Sequence, residues 1–302
     1  MIDVVGIGSS VYDLVMVTDD YPDEDSKLQC TVTLLQGGGP CATALVSVAK
    51  LGCTAAYMGA VGDDSFGAHM LDELKCYGVD TSHVRLQKGK TSTHAVVLLN
   101  TRTGSRTCVW SKGTIDALSP DDVDEAVIRQ ARVLHLDGHH LEAAIYAAKI
   151  AREHGVVVSL DAGSKYPGIE RLLPLVDFLI PSESFALTFT GETEPEAAAR
   201  KLFELYRPQI LVVTQGERGG FIWNGKELTR YPAFEVEVVD SNGAGDVFHG
   251  AFLVGFLKGM GLEKSARFAS AVSALKCTGL GARRSLPMYE QAVHLMETHC
   301  NQ

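Results

Sequence analysis

Residues 240–250, DSNGAGDVFHG, place a run of small residues and an acid directly ahead of an apolar, helix-like segment. Gly243, Ala244 and Gly245 would let a ligand approach the backbone, and the free N–H groups at a helix N-terminus bind anions, most often phosphate. Asp246 would repel a phosphate, unless it takes the proton of a hydroxyl that attacks the phosphorus. The alternative is a glycine-rich N-cap with a capping aspartate, which stabilises a helix by about 0.5–2 kcal/mol.

A second glycine cluster, Gly37–Gly39, precedes the apolar run PCATALVSVAK and also permits close approach to the backbone. It fits either a ligand-facing loop or a simple helix start. The chain contains no G-x-x-x-x-G-K-[ST] motif, which excludes a Walker-type nucleotide site. GIGSSVYD near the N-terminus departs from G-x-G-x-x-G, which argues against a dinucleotide-binding fold.

The composition excludes several classes of protein. The 302 residues are 46% hydrophobic and 21% charged, which is ordinary for a soluble globular protein with a large core. A net charge of -10 without a dense Lys/Arg run argues against nucleic acid and anionic membranes as partners. No apolar run approaches the roughly 18 residues of a membrane span, there is no signal-peptide pattern, and the seven cysteines lack C-x-x-C spacing. We therefore expect a cytoplasmic protein without a disulfide framework or zinc site.

Short apolar runs alternate with helical patterns along the chain and predict a doubly wound α/β fold with a mostly parallel sheet flanked by helices. The predicted strands are 4–8, 54–60, 133–136, 156–161, 178–180 and 210–214. The predicted helices are 42–50, 67–77, 141–153, 195–206, 247–258, 262–277 and 288–297. Because no linker or repeat interrupts this alternation, we expect a single domain over residues 1–302.

Three motifs together resemble the signatures of the ribokinase-like, or PfkB, carbohydrate kinases. They are GGGPCATALVSVAKLG (37–52), VGDDSFG (61–67) and DSNGAGDVFHGAF (240–252), in the family's order and spacing across nearly the whole chain. The resemblance implies the ribokinase-like fold and transfer of the γ-phosphoryl group of ATP to a primary hydroxyl of a furanose sugar. It also implies Mg²⁺ as a cofactor and, in some members, K⁺.

The resemblance assigns roles to individual positions. Asp246 matches the base that deprotonates the sugar hydroxyl, and Gly243, Ala244 and Gly245 match the anion hole for the transferring group. The positions that match sugar-binding residues are Asp13 (expected at the end of the first strand), Lys27, Gly38, Gly39, Thr43, Arg106, Asp137 and His139. The positions on the ATP side are Ser182, Thr214, Gly216, Gly219 and Ser270. The positions that hold a monovalent cation in some members are Asp240 and Asn242.

Two departures from the family pattern bear on these roles. Thr43 stands where the family usually has a sugar-binding asparagine, so a shorter hydroxyl replaces an amide. PSESF (181–185) stands where many members have an Asn-x-x-Glu element that organises Mg²⁺ and phosphate. Ser182 can still form hydrogen bonds, but Phe185 cannot replace the glutamate, so Glu183 or water would have to contribute. The turn around Asp246 is intact, and we expect an active enzyme.

Within the family, two subgroups that act on ketohexoses look most similar. YPDEDSKLQC resembles the ketohexokinases, whereas GGGPCATA and DVFHGAF resemble the bacterial sulfofructose kinases. Lys27 matches a sulfonate-binding position of the latter, but Trp110 and His139 fall where those enzymes use asparagine and arginine. Since a buried anion must be paired with cations, we expect a neutral ketohexose such as fructose. The alternatives are a sulfofructose kinase, a nucleoside kinase that uses an aromatic platform, and a catalytically silent sugar-binding regulator.

Two segments outside the main alternation predict a small lid over the sugar. Residues 91–100 and 106–111 flank TRTG and predict a β-hairpin, and the polar stretch 12–33 can supply further strands. We expect these segments, about 12–33 and 91–111, to form a β-lid. The apolar side chains of Val96, Leu98 and Val109 on one face would favour a homodimer through two lids, with a monomer as the alternative.

Overall fold

The fold is described from a computed structural model that covers residues 2–103 and 105–298. The strands are β1 (Val4–Ile7), β2 (Val11–Thr18), β3 (Val32–Gly38), β4 (Ala55–Met58), β5 (Ala60–Gly62), β6 (Val79–Asp80), β7 (Arg85–Gln87), β8 (His94–Asn100), β9 (Arg106–Ser111), β10 (Val133–Leu136), β11 (Val157–Ala162), β12 (Phe178–Pro181), β13 (Ile210–Thr214), β14 (Gly220–Trp223) and β15 (Leu228–Tyr231). The helices are α1 (Pro40–Lys50), α2 (Ser65–Cys76), α3 (Glu125–Arg129), α4 (Leu141–Glu153), α5 (Glu183–Thr190), α6 (Pro195–Tyr206), α7 (Ala244–Leu257), α8 (Leu262–Cys277) and α9 (Tyr289–Thr298).

Nine strands form the central sheet, in the order β15-β14-β13-β12-β11-β10-β1-β4-β6. Within this sheet the seven strands β13, β12, β11, β10, β1, β4 and β6 pair in parallel, and β14 and β15 add an antiparallel edge. Val4 and Val5 point to opposite faces of the sheet, and both are fully buried. Because both faces are covered, these strands are apolar at most positions. Val4 belongs to the hydrophobic cluster that includes residues of α1, α7 and α8, whereas Val5 belongs to the cluster that includes residues of α3, α4 and α6. The predicted doubly wound, mostly parallel sheet flanked by helices is confirmed.

A separate four-stranded sheet, in the order β3-β2-β8-β9, is called the small sheet below. The predicted hairpin is present as the antiparallel pair β8–β9, and the segment 12–33 contributes β2 and the start of β3. The expected position of Asp13 was wrong. The first strand ends at Ile7, the chain bends, and Asp13 lies inside β2 of the small sheet. Alternate residues of β2 are buried, as in a sheet with one covered face, and Asp13 is on the buried side.

Helix α7 begins at Ala244, three residues before its predicted start, and this difference places Asp246 inside the first turn. A helix predicted from the spacing of large apolar residues starts too late here, because the small residues of the first turn add no large apolar side chain to the pattern. Within residues 2–103 and 105–298, no helix combines the length and apolar character needed to cross a membrane.

Candidate active site

The turn before α7 depends on a glycine at one position. Gly243 is the N-cap of α7 with φ 76°, a left-handed conformation that glycine adopts without strain. A Cβ at Gly243 would also lie 2.8 Å from the Cβ of Ala282. A Cβ built at Gly245 meets no described atom within 4 Å, and its φ is not positive. The first turn is therefore open on the side of Gly245.

The expectation that three N–H groups of this turn are free was partly wrong. Ala244 N–H donates to the carbonyl oxygen of Ser241 at 3.2 Å, and Val247 N–H donates to that of Gly243 at 2.9 Å. The N–H groups of Gly245 and Asp246 belong to the first turn, where a helix offers no carbonyl one turn earlier. The candidate donors for an anion at this turn are thus the N–H groups of Gly245 and Asp246.

Asp246 lies on this first turn and is partly exposed. Burial raises the pKa of its carboxyl to about 6, and the nearby Asp161 carboxylate raises it further, while His249 works in the opposite direction. His249 Nε2 lies 3.1 Å from Asp161 Oδ1, in a buried pair one helical turn below Asp246. A carboxylate with a pKa near 6 is deprotonated at neutral pH and still basic enough to accept a proton from a hydroxyl.

Asp13 and Gly38 meet where β2 and β3 pair. Asp13 is 7% exposed, and a Cβ on Gly38 would collide with its Oδ2, so only glycine lets this carboxylate lie over the strand. Burial raises the pKa of Asp13 to about 7; Arg283 lowers it, while Asp246 and Glu73 raise it. Gly39, with φ 92°, is the N-cap of α1.

Arg283, which was not predicted from the sequence, organises this glycine loop. It is fully buried, and its NH2 donates to the Gly38 carbonyl oxygen at 2.8 Å. Its NH1 donates to Glu73 Oε2 at 3.0 Å, and the same oxygen accepts the N–H of Gly37. Its Nε donates to Thr43 Oγ1 at 3.2 Å. Thr43 is also fully buried, so the structure places its hydroxyl in the support of the loop.

Asp137 joins three segments at the carboxyl edge of the central sheet. Its carboxylate accepts the N–H groups of Ser9 at 2.8 Å, Cys41 at 3.2 Å and His139 at 3.0 Å. Burial would raise the pKa of Asp137, but these bonds and the nearby His139 side chain lower it to about 2. Burial alone would lower the pKa of His139. The Asp137 carboxylate, 3.2 Å from its Nδ1, outweighs burial and raises that pKa.

The two predicted cations of the sugar side behave differently. Arg106, at the start of β9, donates from NH1 to Ser241 Oγ at 3.3 Å, so the small sheet reaches the turn before α7. Lys27 is exposed in the segment between β2 and β3. Across residues 2–103 and 105–298, no hydrogen bond or ion pair links the ammonium of Lys27 to the other predicted residues.

Four of the predicted ATP-side residues lie at or just after the ends of β12 and β13, whereas Ser270 lies within α8. Thr214 ends β13, and Gly216 and Gly219 have φ of 60° and 78° around the 3₁₀ turn that follows. Ser182 Oγ accepts the N–H of Phe185 at 3.0 Å and caps α5. These glycines keep the loop after β13 tight.

Three side chains on the predicted ATP side already form hydrogen bonds or ion pairs within the chain. Ser182 also donates to the carbonyl oxygen of Gly163 at 3.1 Å, and Ser270 Oγ donates to that of Pro232 at 2.8 Å. Glu183 accepts from Gln215 Nε2 at 3.0 Å and pairs with Arg218. Phe185 is 2% exposed and belongs to the core. Glu183 thus anchors the loop after β13.

Asp240 lies at the start of the turn and is 2% exposed. Its Oδ1 accepts the N–H of Asn242 at 2.8 Å, and its Oδ2 accepts that of Gly281 at 2.9 Å. Its carbonyl oxygen accepts from Lys276 Nζ at 2.7 Å. Of the predicted cation-binding pair, Asp240 is therefore bonded to the chain's own donors, one of which is the N–H of Asn242.

The chain is similar to known proteins over nearly its whole length. The model of the pfkB family carbohydrate kinases matches residues 1–288. A deoxyribokinase from Salmonella typhi is 29% identical over 298 residues, which cover 96% of this chain and 97% of that protein. The structure of Arabidopsis thaliana ribokinase complexed with ribose and ATP aligns at 27% identity with a TM-score of 0.85, over 98% of this chain and 99% of that one.

A protein from E. coli solved with ATP and Mg²⁺ shares the fold, with a TM-score of 0.88 and 23% identity over 99% of this chain and 100% of that one. The predicted ribokinase-like fold and phosphotransferase activity are confirmed. The narrower resemblance to ketohexokinases and sulfofructose kinases is not supported by relatives named for ribose and deoxyribose. The chain belongs to the pfkB family of carbohydrate kinases and is an ATP-dependent sugar kinase.

Proposed function

We propose that the chain transfers the γ-phosphoryl group of ATP to a primary hydroxyl of a neutral furanose sugar, with Asp246 as the general base. The observation that carries this proposal is the position of Asp246, in the first turn of α7 beside the open Gly245. Its pKa of about 6 leaves the carboxylate charged at neutral pH. A hydroxyl held against it would lose its proton as its oxygen attacks the phosphorus.

The same turn stabilises the charge that moves to the transferring group. The N–H groups of Gly245 and Asp246 and the positive end of α7 favour a phosphoryl oxygen there. Mg²⁺, when bound to ATP, neutralises phosphate charge. Glu183 pairs with Arg218 and Gln215 and does not fit a direct ligand of Mg²⁺. In this chain Mg²⁺ would be held mainly by phosphates and water, as is common for this ion.

The sugar would lie between the small sheet, acting as a lid, and the central sheet, within one kinase domain. Asp13 faces the site from β2, and Arg106 reaches Ser241 from β9. A buried carboxylate such as Asp13 accepts hydrogen bonds from sugar hydroxyls well. Gly38 and Gly39 bring the backbone of β3 close to the same place.

The charges around this site favour a neutral sugar. Asp13 and Asp246 are close enough for Asp246 to raise the pKa of Asp13. A negatively charged group on the sugar would therefore be repelled by these carboxylates. Arg283 is fully engaged by Thr43, Glu73 and the loop carbonyl, as described above, and Lys27 is exposed. Arg106 is then the main predicted cation near the turn, and a sulfonate or phosphate on the sugar would lack the several paired cations that a buried anion needs.

The sequence resemblance favours a ketohexose such as fructose, whereas the named relatives bring ribose and 2-deoxyribose into consideration. The experiment is a panel of these three sugars with sulfofructose and adenosine, scored by kcat/KM from ADP release. The proposal requires a neutral sugar to be the best substrate. It is overturned if sulfofructose is preferred by more than about 100-fold, a discrimination of about 2.7 kcal/mol, and if Lys27→Ala removes that preference.

Adenosine belongs in the panel because of one aromatic residue. Trp110 on β9 lies in the same cross-strand row as Asp13, with Ala95 between them, and is 66% exposed. An exposed indole beside the sugar carboxylate could stack on a base. The ring of Tyr12 is already engaged, since it is stacked on Phe66 with the ring centroids 4.7 Å apart. A nucleoside kinase is therefore the second candidate, and adenosine as the best substrate would establish it.

We also propose a homodimer through the outer face of the small sheet. Leu14, Leu35, Val96 and Val109 form one cross-strand row on this face. Leu35 is 45%, Val96 38% and Val109 71% exposed, whereas Leu98 in the next row is partly buried. An apolar row of this kind on an open sheet face favours pairing with the same face of a second copy.

A further inference from the structure

Lys276 is a charged residue that the proposed chemistry does not use and that the fold nonetheless buries completely. It lies in the last turn of α8, and its Nζ donates to the Asp240 carbonyl oxygen at 2.7 Å. Burial lowers the pKa of its ammonium, while Asp240 works to raise it. A lysine is almost never fully buried unless its charge is paired, so this placement calls for a reason.

Two further bonds tie residues 239–240 to the end of α8, and a third ties the loop after α8 to it. The N–H groups of Val239 and Asp240 donate to the Cys277 carbonyl oxygen at 2.8 and 3.2 Å. Ser285 Oγ donates to the carbonyl oxygen of Lys276 at 2.7 Å. The ammonium also lies at the negative end of the α8 dipole, which stabilises a cation. Lys276 is thus built into the support of the turn that carries Asp246.

The atoms around Asp240 do not fit a bound K⁺ ion. Protein sites for K⁺ replace its water shell with several protein oxygen atoms, and donors that already point at those oxygens compete with the ion. Both carboxylate oxygens of Asp240 accept N–H groups, from Asn242 and Gly281, and its carbonyl oxygen accepts from Lys276. A K⁺ ion on that carbonyl would also be repelled by the ammonium beside it. The expectation of a monovalent cation at Asp240 and Asn242 is therefore not supported by their geometry.

We propose that the Lys276 ammonium is the resident cation behind the phosphate-binding turn. It holds residues 240–246 in place, so that phosphoryl transfer proceeds without added K⁺. Lys276 is a positioning residue in this account, because it acts on the reacting groups through Asp240 and the turn. The inference rests on the proposed role of that turn, but its tests measure a response to cations and can fail independently of the base assignment.

The first test uses the wild-type protein. Sugar phosphorylation is measured at constant ionic strength in tetramethylammonium, potassium or ammonium chloride. ADP is quantified by chromatography, so that no coupling enzyme responds to the cation. We expect kcat to agree among the three salts, and the melting temperature to be the same in potassium as in tetramethylammonium. Activation by K⁺ of more than about threefold, or a melting temperature that rises with K⁺ as ligand binding requires, would overturn the proposal.

The second test compares two variants that lose the same charge but differ in the space they leave. Lys276→Ala opens room beside the Asp240 carbonyl oxygen, whereas the longer side chain of Lys276→Met keeps it filled. We expect both to lower kcat by about tenfold or more, which is less than the roughly 10²–10³-fold cost of losing a direct oxyanion donor, because Lys276 acts through the turn. KM for the sugar should change little. Ammonium or potassium should restore Lys276→Ala and leave Lys276→Met unchanged.

Lys258→Met serves as the matched control, since Lys258 follows α7 and its Nζ lies over the ring of Tyr289. It should keep the wild-type kcat in every salt. A folded Lys276→Ala with wild-type kcat in tetramethylammonium would show that the ammonium has no role. A folded Lys276→Ala with low kcat that no monovalent cation restores would also overturn the proposal. If neither variant folds, the cation response of the wild type decides the matter.

Discussion

Arg283 Nε lies 3.2 Å from Thr43 Oγ1, although 240 positions separate the two residues in the chain. This bond joins the loop after α8 to the start of α1, and the same guanidinium holds the Gly38 carbonyl oxygen and Glu73. The sugar-side glycine loop is therefore supported from the C-terminal part of the chain. Both residues are fully buried, so the loop cannot change conformation without breaking this network.

Replacing Arg283 tests that support. Arg283→Met should lower the free energy of unfolding by about 3–5 kcal/mol, because it leaves Glu73 without its buried partner. KM for the sugar should rise, since Gly38 loses its anchor. The double variant Arg283→Met with Glu73→Gln should recover part of the stability in urea unfolding. Equal stability of Arg283→Met and wild type would contradict the network.

Asp246→Asn should reduce kcat by about 10²–10⁴-fold, the usual contribution of a positioned base. Binding of ATP and sugar, followed by calorimetry, should change little because the amide keeps the shape of the carboxyl. Asp72→Asn, on the exposed face of α2, is the matched control and should behave as wild type. An Asp246→Asn enzyme that kept a tenth of the wild-type kcat would rule out this residue as the base.

The two glycines of the turn should respond differently to substitution. Gly245→Val should fold, because its φ is not positive and a Cβ there meets no described atom, but kcat should fall as the side chain enters the phosphate position. Gly243→Ala should instead lose stability, since its φ of 76° and the contact with Ala282 both oppose a Cβ. Thermal unfolding and kcat, measured together, separate the two effects. Wild-type kcat and KM for ATP in Gly245→Val would remove the anion-hole assignment.

The pH dependence of activity should reflect the carboxylates of the site. Because the base acts in its charged form, kcat/KM should rise with pH through the pKa of about 6 at Asp246. Asp13, with a pKa of about 7, broadens this limb since the two groups interact. Asp13→Asn should therefore sharpen the limb and centre it near pH 6. A rate that stays flat between pH 5 and 8 would argue against Asp246 as a base.

Stability should vary with pH in the sense set by Asp13. A carboxyl with a raised pKa in the folded state binds its proton more tightly there than in the unfolded chain. Its stabilising effect is complete below the unfolded pKa of 3.8 and is lost as pH rises to about 7. Asp13→Asn should consequently raise the melting temperature at pH 8 and leave it nearly unchanged at pH 4. A lower melting temperature at pH 8 would show that the charged form is stabilised by the fold.

The homodimer can be tested at the edge strand β9. Light scattering of the wild type should give twice the chain mass of 32.5 kDa. Val109→Lys should give the mass of one chain, because it places a charge at the most exposed end of the apolar row. Glu297→Lys on α9, an exposed position, is the control and should leave the mass unchanged. A wild type of 32.5 kDa would remove the dimer.

Local patterns were sufficient to predict the central sheet and most helices. A parallel strand covered on both faces must be apolar at every position, so 133–136 and 210–214 were recognisable without knowing their neighbours. The turn 243–246 was recognisable for a similar reason, since only small residues permit a phosphate at the backbone and an acid there needs a chemical role. Fold class and, through the family resemblance, reaction type were therefore predictable from residues adjacent in sequence, and the same residues support the proposal of Asp246 as the base.

Tertiary structure decided the contacts between distant segments. No local pattern distinguishes Arg283 from an ordinary exposed arginine or Lys276 from any lysine on a helix, because burial and partners depend on how α8 and its loop return to β3 and Asp240. Asp13 was displaced from the first strand to the small sheet for the same reason, since strand pairing is a long-range choice. The sequence by itself determined which chemistry the chain performs, and only the packing of distant segments decided which side chains support it.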